Sequence, residues 1–449
     1  MTAAVVQRPR LHFTPERNWL NDPNGLVFFG GRWHLYFQHN PNGRDWGDMS
    51  WGHASSVDLV TWEEHSVALL HGEDEAIFSG SVVVDVTGSA GFGAGVLVAL
   101  YTLDSSRGQA QALAWSPDGY SWTKQGVVLD RGTSDFRDPK VFRHADRWVM
   151  IAVEAQHREV HLFASDDLHD WRPLSVFGPA GAVEGIWECP DLFELDGRWV
   201  LTVSLNPGGP AGGSGQQYFV GDFDGTAFTA ERWGWLDRGR DFYAGVTFDS
   251  APGGERVMLG WMSNWDYAAQ VPTGPWRGSM TLPRRLSLDS DGVLRQSVAG
   301  GPWGGRAVLE RRDERVDGRL ALPVAADCCR IDAVLRLGSA RAVGLRLREG
   351  VSAATVVAWD GAELTVDRGA SGSTGFSPSF ASCSRAPLAG GETVALSIWV
   401  DASSIEVFAA DGALVLTEQI FPGEEDLGVS VFAVGGRAAI ESLTVTVFD

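Results

Sequence analysis

Three short acidic motifs carry the side chains of this chain that are best suited to catalysis. They are NDPNG with Asp22, FRDP with Asp138, and WECPD with Glu188 and Asp191. Two carboxylates around a small polar pocket can cleave a glycosidic bond when one is ionised and the other donates a proton to the leaving oxygen. The same residues also suit turns, since Asp, Asn, Pro and Gly all favour them. A catalytic interpretation therefore requires that the fold bring the three motifs together.

A repeated strand pattern places the acidic motifs at equivalent points of the chain. Segments of the type GRWHLYF recur at intervals of 51 to 64 residues and begin at Gly31, Gly95, Asp146, Gly197 and Glu255. Units of about 50 residues built from several short strands are typical of propeller blades. Five copies predict a five-bladed β-propeller over residues 1–297. Each acidic motif begins the predicted innermost strand of a blade, which favours a common site at one end of the central channel.

The chain after the propeller has a different pattern. Residues 298–304 are rich in glycine and are predicted to be a linker. Residues 305–449 contain alternating strands without the blade repeat, and a hairpin turn at Ala410–Gly412, which predicts a β-sandwich. Few of its polar residues converge, so its expected role is structural or accessory. The predicted fold class is all-β, a five-bladed β-propeller followed by a C-terminal β-sandwich.

Composition limits the possible partners and the location. The chain has 449 residues and a net charge of −21, which argues against nucleic acid or an anionic membrane as a partner. No apolar run reaches transmembrane length, and the segment MTAAVVQRPR lacks the apolar stretch of a signal peptide. We therefore expect a cytoplasmic protein, or an extracellular one if a leader has been removed. The 19 Trp offer flat faces for sugar rings, although packing in a β-rich core accounts for most of them.

The cysteines indicate neither a metal site nor a disulfide framework. Their positions are Cys189, Cys328, Cys329 and Cys383. This spacing matches no ligand pattern, and the chain is too long for four cysteines to form its framework. No metal or organic cofactor is expected, and Cys189 of WECPD is expected to be a packed thiol.

Seven motifs in order along the chain resemble glycoside hydrolase family 32. They are NWLNDPNG, FSGS, FRDPKVF, WECPDLF, QQYFVGDFDG, DFYA and GWMSNW. The resemblance continues into the second domain at Ser403–Pro422. It implies a retaining hydrolase that cleaves terminal β-D-fructofuranosyl linkages of fructans, fructo-oligosaccharides or sucrose. The implied partner is thus a fructose-containing oligo- or polysaccharide substrate.

The resemblance also implies a role for individual residues. Asp22 would be the nucleophile that forms a covalent fructosyl-enzyme, Glu188 the acid/base, and Asp138 the residue that holds fructose hydroxyls and stabilises the transition state. The positions that would line the fructose pocket are Asn21, Gln38, Trp46, Phe78, Ser79, Arg137, Tyr243 and Trp261.

Electrostatics agrees with these roles. An ionised Asp22 would stabilise a cationic transition state before bonding to the anomeric carbon. Arg137 is expected to keep the adjacent Asp138 ionised, and a pocket walled by Trp187 is expected to raise the pKa of Glu188. Retention requires the carboxyls of Asp22 and Glu188 to lie roughly 5–5.5 Å apart.

Several alternatives stay open. A fructosyltransferase of the levan fructotransferase kind would use the same nucleophile and acid/base, with a sugar hydroxyl in place of water. An inverting, arabinan-type propeller would need a carboxyl separation of roughly 6.5–9.5 Å. A carbohydrate-binding propeller would need no catalysis. The segment DSSRGQ, residues 104–109, departs from the family pattern and leaves the acceptor undefined, as are linkage preference, exo or endo action, and oligomeric state.

Overall fold

The computed structural model of the protein describes residues 8–448. The prediction on the signal peptide concerns residues 1–10, most of which lie outside this range, as does residue 449. Within it the chain forms 31 β-strands and four 3₁₀ helices, Ala155–His157, Pro252–Gly254, Ala268–Gln270 and Ala410–Gly412. Runs of β-branched and aromatic residues between Gly, Asp and Asn turns favour strands over helices. The predicted all-β class is confirmed.

Five antiparallel sheets form the blades of a propeller. Blade 1 consists of β1 (Asn18–Phe29), β2 (Arg32–Asn40), β3 (Ser50–Ser56) and β4 (Glu63–Leu69). Blade 2 consists of β5 (Glu75–Asp85), β6 (Val96–Ser105), β7 (Gly108–Ser116) and β8 (Thr123–Asp130). Blade 3 consists of β9 (Phe136–His144), β10 (Arg147–Glu154), β11 (Glu159–Ser165) and β12 (Arg172–Phe177).

The last two blades follow the same plan. Blade 4 consists of β13 (Ile186–Leu195), β14 (Arg198–Asn206), β15 (Gly215–Phe223) and β16 (Phe228–Trp235). Blade 5 consists of β17 (Tyr243–Thr247), β18 (Val257–Trp261), β20 (Arg284–Leu288) and β21 (Leu294–Val298). The predicted number of five blades is confirmed.

The first strand of each blade lies at the central channel. Strands β1, β5, β9, β13 and β17 contact one another in a closed ring. Neighbouring blades cover both faces of the inner and middle strands, so these strands are apolar almost throughout, as in β10 with its sequence RWVMIAVE. The outermost strands β4, β8, β12 and β16 are largely exposed.

Pairing between the two ends of the propeller closes the ring. The two-residue strand β19 (Trp276–Arg277) pairs in parallel with β1, with Asn18 opposite Trp276 and Trp19 opposite Arg277. Val27 of β1 also forms a bridge with Asp249, which follows β17. Blade 1 is thus joined to blade 5 by residues from opposite ends of the domain.

The C-terminal part is a β-sandwich whose two sheets share two long strands. Strands β22 (Arg306–Ala325) and β31 (Gly428–Val447) pair along most of their length. The first part of β31, residues 428–434, pairs with β24 (Ala342–Glu349), and residues 439–447 pair with β23 (Cys329–Arg336). The sheets are completed by β25 (Ala354–Trp359), β26 (Glu363–Ala370), β27 (Cys383–Pro387), β28 (Thr393–Asp401), β29 (Ser404–Ala409) and β30 (Leu414–Gln419). One apolar core fills the space between them, and the predicted sandwich is confirmed.

Candidate active site

A β-bulge interrupts each of the five inner strands near its first residues. The shifts in strand register fall at 20–23 in β1, 77–80 in β5, 188–191 in β13 and 243–246 in β17, and β9 shifts opposite residues 151–153 of β10. Three bulged residues, Asp138, Cys189 and Ala244, have positive φ angles of 62°, 47° and 53°. This region is sparsely populated for residues other than Gly, and such residues concentrate at functional sites. A bulge bends the strand and re-aims side chains, so the five bulges lie where the acidic side chains gather.

Asp22 lies at the centre of this cluster and is 9% exposed. Its Oδ2 accepts a hydrogen bond from Ser79 Oγ at 2.8 Å, and its Oδ1 accepts one from Asn21 Nδ2 at 3.0 Å. Burial, and next the negative charge of Glu188, raises the pKa of Asp22 to about 6, although the hydrogen bonds oppose this. Asp22 is therefore mainly ionised at neutral pH.

Cys189 joins Asp22 to Asp138. Its thiol Sγ lies 3.4 Å from Oδ2 of Asp22 and 3.6 Å from Oδ2 of Asp138, and its backbone N–H donates to the latter oxygen at 2.8 Å. Burial raises the pKa of the thiol well above its usual value, so Cys189 stays protonated and can donate to the carboxylates. It is packed, as predicted, and it also bridges two acidic side chains.

The effect of Arg137 on Asp138 differs from the expectation. Burial raises the pKa of Asp138 to about 7 and outweighs the lowering effect of the Arg137 charge. The guanidinium is directed elsewhere: Nε donates to Glu188 at 3.1 Å and Nη1 to Gln109 at 3.2 Å. Asp138 is thus only partly ionised at neutral pH, and the prediction that Arg137 keeps it ionised was wrong.

Glu188 is the most accessible of the three acidic side chains, with its side chain 20% exposed. Arg137 donates to its Oε1, and the hydroxyl of Tyr243 donates to its Oε2 in a short hydrogen bond. Both oxygens of this carboxyl are thus held in a fixed orientation. Two residues from separate blades, Arg137 of β9 and Tyr243 of β17, converge on one side chain of β13.

Trp187 does not wall the pocket. It is fully buried between blades 3 and 4, where it stacks on Phe177 and contacts Phe219. Successive residues of a strand point to opposite faces, so Trp187 points away from the site that Glu188 faces. The prediction that Trp187 contributes to the environment of Glu188 was wrong.

The other predicted pocket residues lie at different depths. Gln38 is buried and bridges blades by donating to Asn24 Oδ1 at 2.8 Å and to the backbone oxygen of Ile77 at 3.1 Å. Trp46 is 51% exposed and contacts Phe78 edge-on, with ring centroids 5.9 Å apart. These two aromatic rings form one side of the rim.

Trp261 lies behind the site. It is fully buried, and its ring contacts that of Tyr243 edge-on at 6.3 Å and that of Trp265 at 4.8 Å. Trp261 therefore packs against the tyrosine that donates to Glu188.

Asp191 pairs with a lysine that the motif analysis left without a role. Asp191 is fully buried further along β13, and its Oδ2 lies 3.1 Å from Lys140 Nζ and accepts a hydrogen bond from the Thr247 hydroxyl at 2.8 Å. A cavity of about 20 Å³ lies between Lys140 and the acidic cluster, and a pocket of about 430 Å³ lies on the other side of the pair. The ion pair thus closes the channel below the site. The lysine of FRDPK, two residues after Asp138 on the same strand, was the available signal.

The site brings together seven of the predicted residues, and Cys189 joins them. Hydrogen bonds link Asn21, Asp22, Ser79, Cys189 and Asp138 in one group and Arg137, Glu188 and Tyr243 in a second. The two groups meet where Arg137 precedes Asp138 and where Glu188 precedes Cys189 in the sequence. Among residues 8–448, no group of three or more His, Cys, Asp or Glu side chains is arranged to hold a metal ion. Such a cluster can stabilise positive charge, accept hydrogen bonds from hydroxyls and exchange protons with a ligand.

This combination of propeller, sandwich and clustered carboxyls is that of a glycoside hydrolase. The family model described as glycosyl hydrolases family 32 N-terminal domain matches residues 12–297, and that described as glycosyl hydrolases family 32 C terminal matches residues 307–447. The chain belongs to glycosyl hydrolase family 32, which confirms the resemblance of its motifs.

Known relatives and structures cover almost the whole chain. A levanase of Bacillus subtilis (strain 168) is 42% identical, across 98% of this chain and 70% of that protein. An extracellular exo-inulinase of Aspergillus ficuum is 38% identical, across 98% of this chain and 94% of that protein. The crystal structure of exo-inulinase from Aspergillus awamori has a TM-score of 0.94 and 35% identity, covering 99% of both chains. A fructofuranosidase from Schwanniomyces occidentalis, complexed with fructosylnystose, has a TM-score of 0.90 and 31% identity. No helix within residues 8–448 has the length and apolar character needed to span a membrane.

Proposed function

We propose that this glycoside hydrolase removes terminal β-D-fructofuranosyl units from fructans, fructo-oligosaccharides or sucrose with retention of configuration. The observation that carries the proposal is the convergence of Asp22, Asp138 and Glu188 from three inner strands, with Cys189 bridging the first two and Arg137 donating to the third. The substrate class is supported by relatives named levanase and exo-inulinase, and by a similar structure that holds fructosylnystose.

In the first step, Asp22 attacks the anomeric carbon of the terminal fructose. The carbon–oxygen bond to the leaving group breaks, and Glu188 donates its proton to that oxygen. The product is a fructosyl ester of Asp22. The transition state is cationic at the ring, so the negative charge of Asp22 stabilises it before the new bond forms.

In the second step, Glu188 accepts a proton from water, and the resulting hydroxide attacks the anomeric carbon. The ester bond breaks and the carboxylate of Asp22 is restored. Two displacements at one carbon give net retention. Because Arg137 and Tyr243 hold both oxygens of Glu188, the carboxyl has one orientation in which to exchange protons with the leaving oxygen and with water.

Asp138 is assigned to hydroxyl binding. With its pKa raised to about 7, the carboxyl of Asp138 is partly protonated at neutral pH, and its oxygens accept hydrogen bonds from fructose hydroxyls. The exposed Trp46, which contacts Phe78, offers its ring to the next sugar of a longer substrate.

The proposal is tested by the products formed from sucrose, short oligofructose, inulin and levan. Free fructose from these substrates supports hydrolysis, whereas longer oligomers or a cyclic difructose would identify a fructosyltransferase with the same nucleophile. Asp22→Asn is expected to abolish turnover while thermal unfolding stays close to that of the wild type. Substantial activity in this variant would exclude Asp22 as the nucleophile.

A further inference from the structure

The sandwich pairs with the propeller through the segment that leads into β17. Residues 237–241 run beside β30 of the sandwich. The backbone N–H of Arg238 donates to the oxygen of Val415 at 2.8 Å, and that of Asp241 donates to the oxygen of Thr417 at 3.0 Å. The approach to the innermost strand of blade 5 is therefore held by hydrogen bonds from the second domain.

A buried arginine of the sandwich fixes the end of this segment. Arg368 of β26 is fully buried, and its Nη1 donates to the carboxylate of Asp241 and lies 3.1 Å from Glu418. Its Nη2 donates to the hydroxyl of Tyr267 at 2.7 Å, and that hydroxyl donates to Asp241 Oδ1 at 2.5 Å. The backbone N–H of Gln419 donates to Asp241 Oδ2 at 2.8 Å. Both carboxylate oxygens of Asp241 thus accept hydrogen bonds from buried donors.

Asp241 lies two residues before Tyr243, which donates to Glu188. Phe242 between them is buried in the core of blades 4 and 5, and the next residue, Ala244, has a positive φ and donates its N–H to Ser204 Oγ at 2.9 Å. A segment this short, fixed on both sides of Tyr243, leaves the tyrosine little freedom. Movement of Asp241 would be transmitted to the hydroxyl that orients Glu188.

We infer that Arg368 and Tyr267 are positioning residues for catalysis, which act by fixing Asp241 and hence the hydrogen bond from Tyr243 to Glu188. The sandwich then contributes to catalysis through the position of Tyr243. The inference rests on the proposed role of Glu188 as the acid/base. Misplacement of a catalytic group by about 1 Å can lower the rate by about 100-fold, so a partial loss of this anchor should be measurable.

Tyr267→Phe is the most conservative test, because it removes only the hydroxyl that bridges Arg368 and Asp241. It is measured as kcat and kcat/KM in the wild type and in the Tyr243→Phe background. We expect a loss of kcat of about tenfold in the wild type, and a loss of less than about twofold in Tyr243→Phe, where the contact with Glu188 is already absent. Equal losses in both backgrounds, or no loss in either, would overturn the inference.

Two further variants separate positioning from stability. Arg368→Lys keeps the charge but loses the planar fork that serves both Asp241 and Tyr267, and it is expected to repeat the background dependence of Tyr267→Phe. His12→Gln is a matched control, since His12 belongs to another fully buried charge cluster between the domains, with Asp401 and Glu406. It is expected to lower the unfolding temperature and leave kcat unchanged. If His12→Gln lost as much kcat as Tyr267→Phe, both losses would be due to general destabilisation, and the inference would be overturned.

Failure of the inference is distinguishable from failure of the proposed function. If Glu188→Gln and Tyr243→Phe leave kcat/KM on inulin and sucrose unchanged, the acid/base assignment fails, and the inference fails with it. If these two variants lose activity while Tyr267→Phe and Arg368→Lys keep it, the assignment stands and only the inference is refuted.

Discussion

Replacement of Ser79 by alanine should move the acid limb of the pH profile toward neutral pH. Ser79 donates to the ionised form of Asp22 at 2.8 Å, and this bond lowers the pKa of a carboxyl that burial and Glu188 raise to about 6. A hydrogen bond to a charged group contributes about 1.5–3 kcal/mol. Each pKa unit corresponds to about 1.4 kcal/mol. Loss of the bond should therefore shift the limb upward by about one to two pH units.

The assay measures kcat/KM for sucrose or inulin at about ten pH values between roughly 4 and 9. The pH dependence of kcat/KM reports the ionisation of the free enzyme. Ser81→Ala is the matched control: Ser81 lies on the same strand, is also 5% exposed, and donates to the backbone oxygen of Pro139 at 2.9 Å instead of to a carboxylate. The apparent pKa of this limb belongs to the coupled carboxyl cluster as a whole, so the direction in which the limb moves is the diagnostic result. An unmoved or lowered limb in Ser79→Ala, or an equal shift in Ser81→Ala, would refute the reasoning.

Three other variants test the catalytic, interfacial and channel contacts. Glu188→Gln should lose far less activity on fructosyl fluoride than on inulin, and mass spectrometry should detect a fructosyl adduct; equal losses would argue against an acid role. Burial lowers the pKa of His12, but the hydrogen bonds and charges of Asp401 and Glu406 outweigh burial and raise it to about 9. Protonated His12 therefore stabilises the folded state by about 3 kcal/mol. This stabilisation is complete below about pH 6.5 and is lost as the pH rises through 9. Urea unfolding should show this decline in the wild type and a flatter profile in His12→Gln. Lys140→Met leaves Asp191 buried without its cation and should cost about 3–5 kcal/mol of unfolding free energy. A loss below about 1 kcal/mol would show that the ion pair is not needed to hold the channel.

Much of the fold could be predicted because it depends on repetition. Five strands of the GRWHLYF type sit at similar intervals, and each blade needs such a strand to fill the space between its neighbours. The acidic motifs were informative for the same reason: those with Asp22, Asp138 and Glu188 recur at the start of inner strands, and a propeller brings these starts together. The change of pattern after Val298 likewise indicated a second domain.

The directions of individual side chains could not be predicted in the same way. A regular strand would alternate its faces, but the bulges add a residue, and positive φ values at Asp138 and Cys189 are not encoded by glycine. Sequence adjacency suggested that Arg137 serves Asp138, whereas the bulge directs its guanidinium to Glu188 on the next blade.

Contacts between distant residues were also beyond prediction. The pair of Lys140 and Asp191 joins two blades. The convergence of Arg368 on Asp241 joins two domains, so each partner looks like an isolated charge in the sequence. Few polar residues of the sandwich converge with one another, but some converge with the propeller.

The pairing of β1 with β19 has a consequence for the order of events during synthesis. The strand that carries Asp22 leaves the ribosome long before its partner, Trp276–Arg277, which emerges only when the propeller is nearly complete. Until β19 is made, β1 lacks one of its two neighbouring strands, and the blades already synthesised cannot close into a ring. Contacts between distant parts of a chain also form slowly. A nascent chain released early would therefore contain Asp22, Asp138 and Glu188 without a fixed geometry among them, and hydrolytic activity should arise abruptly, as a late event, rather than grow blade by blade.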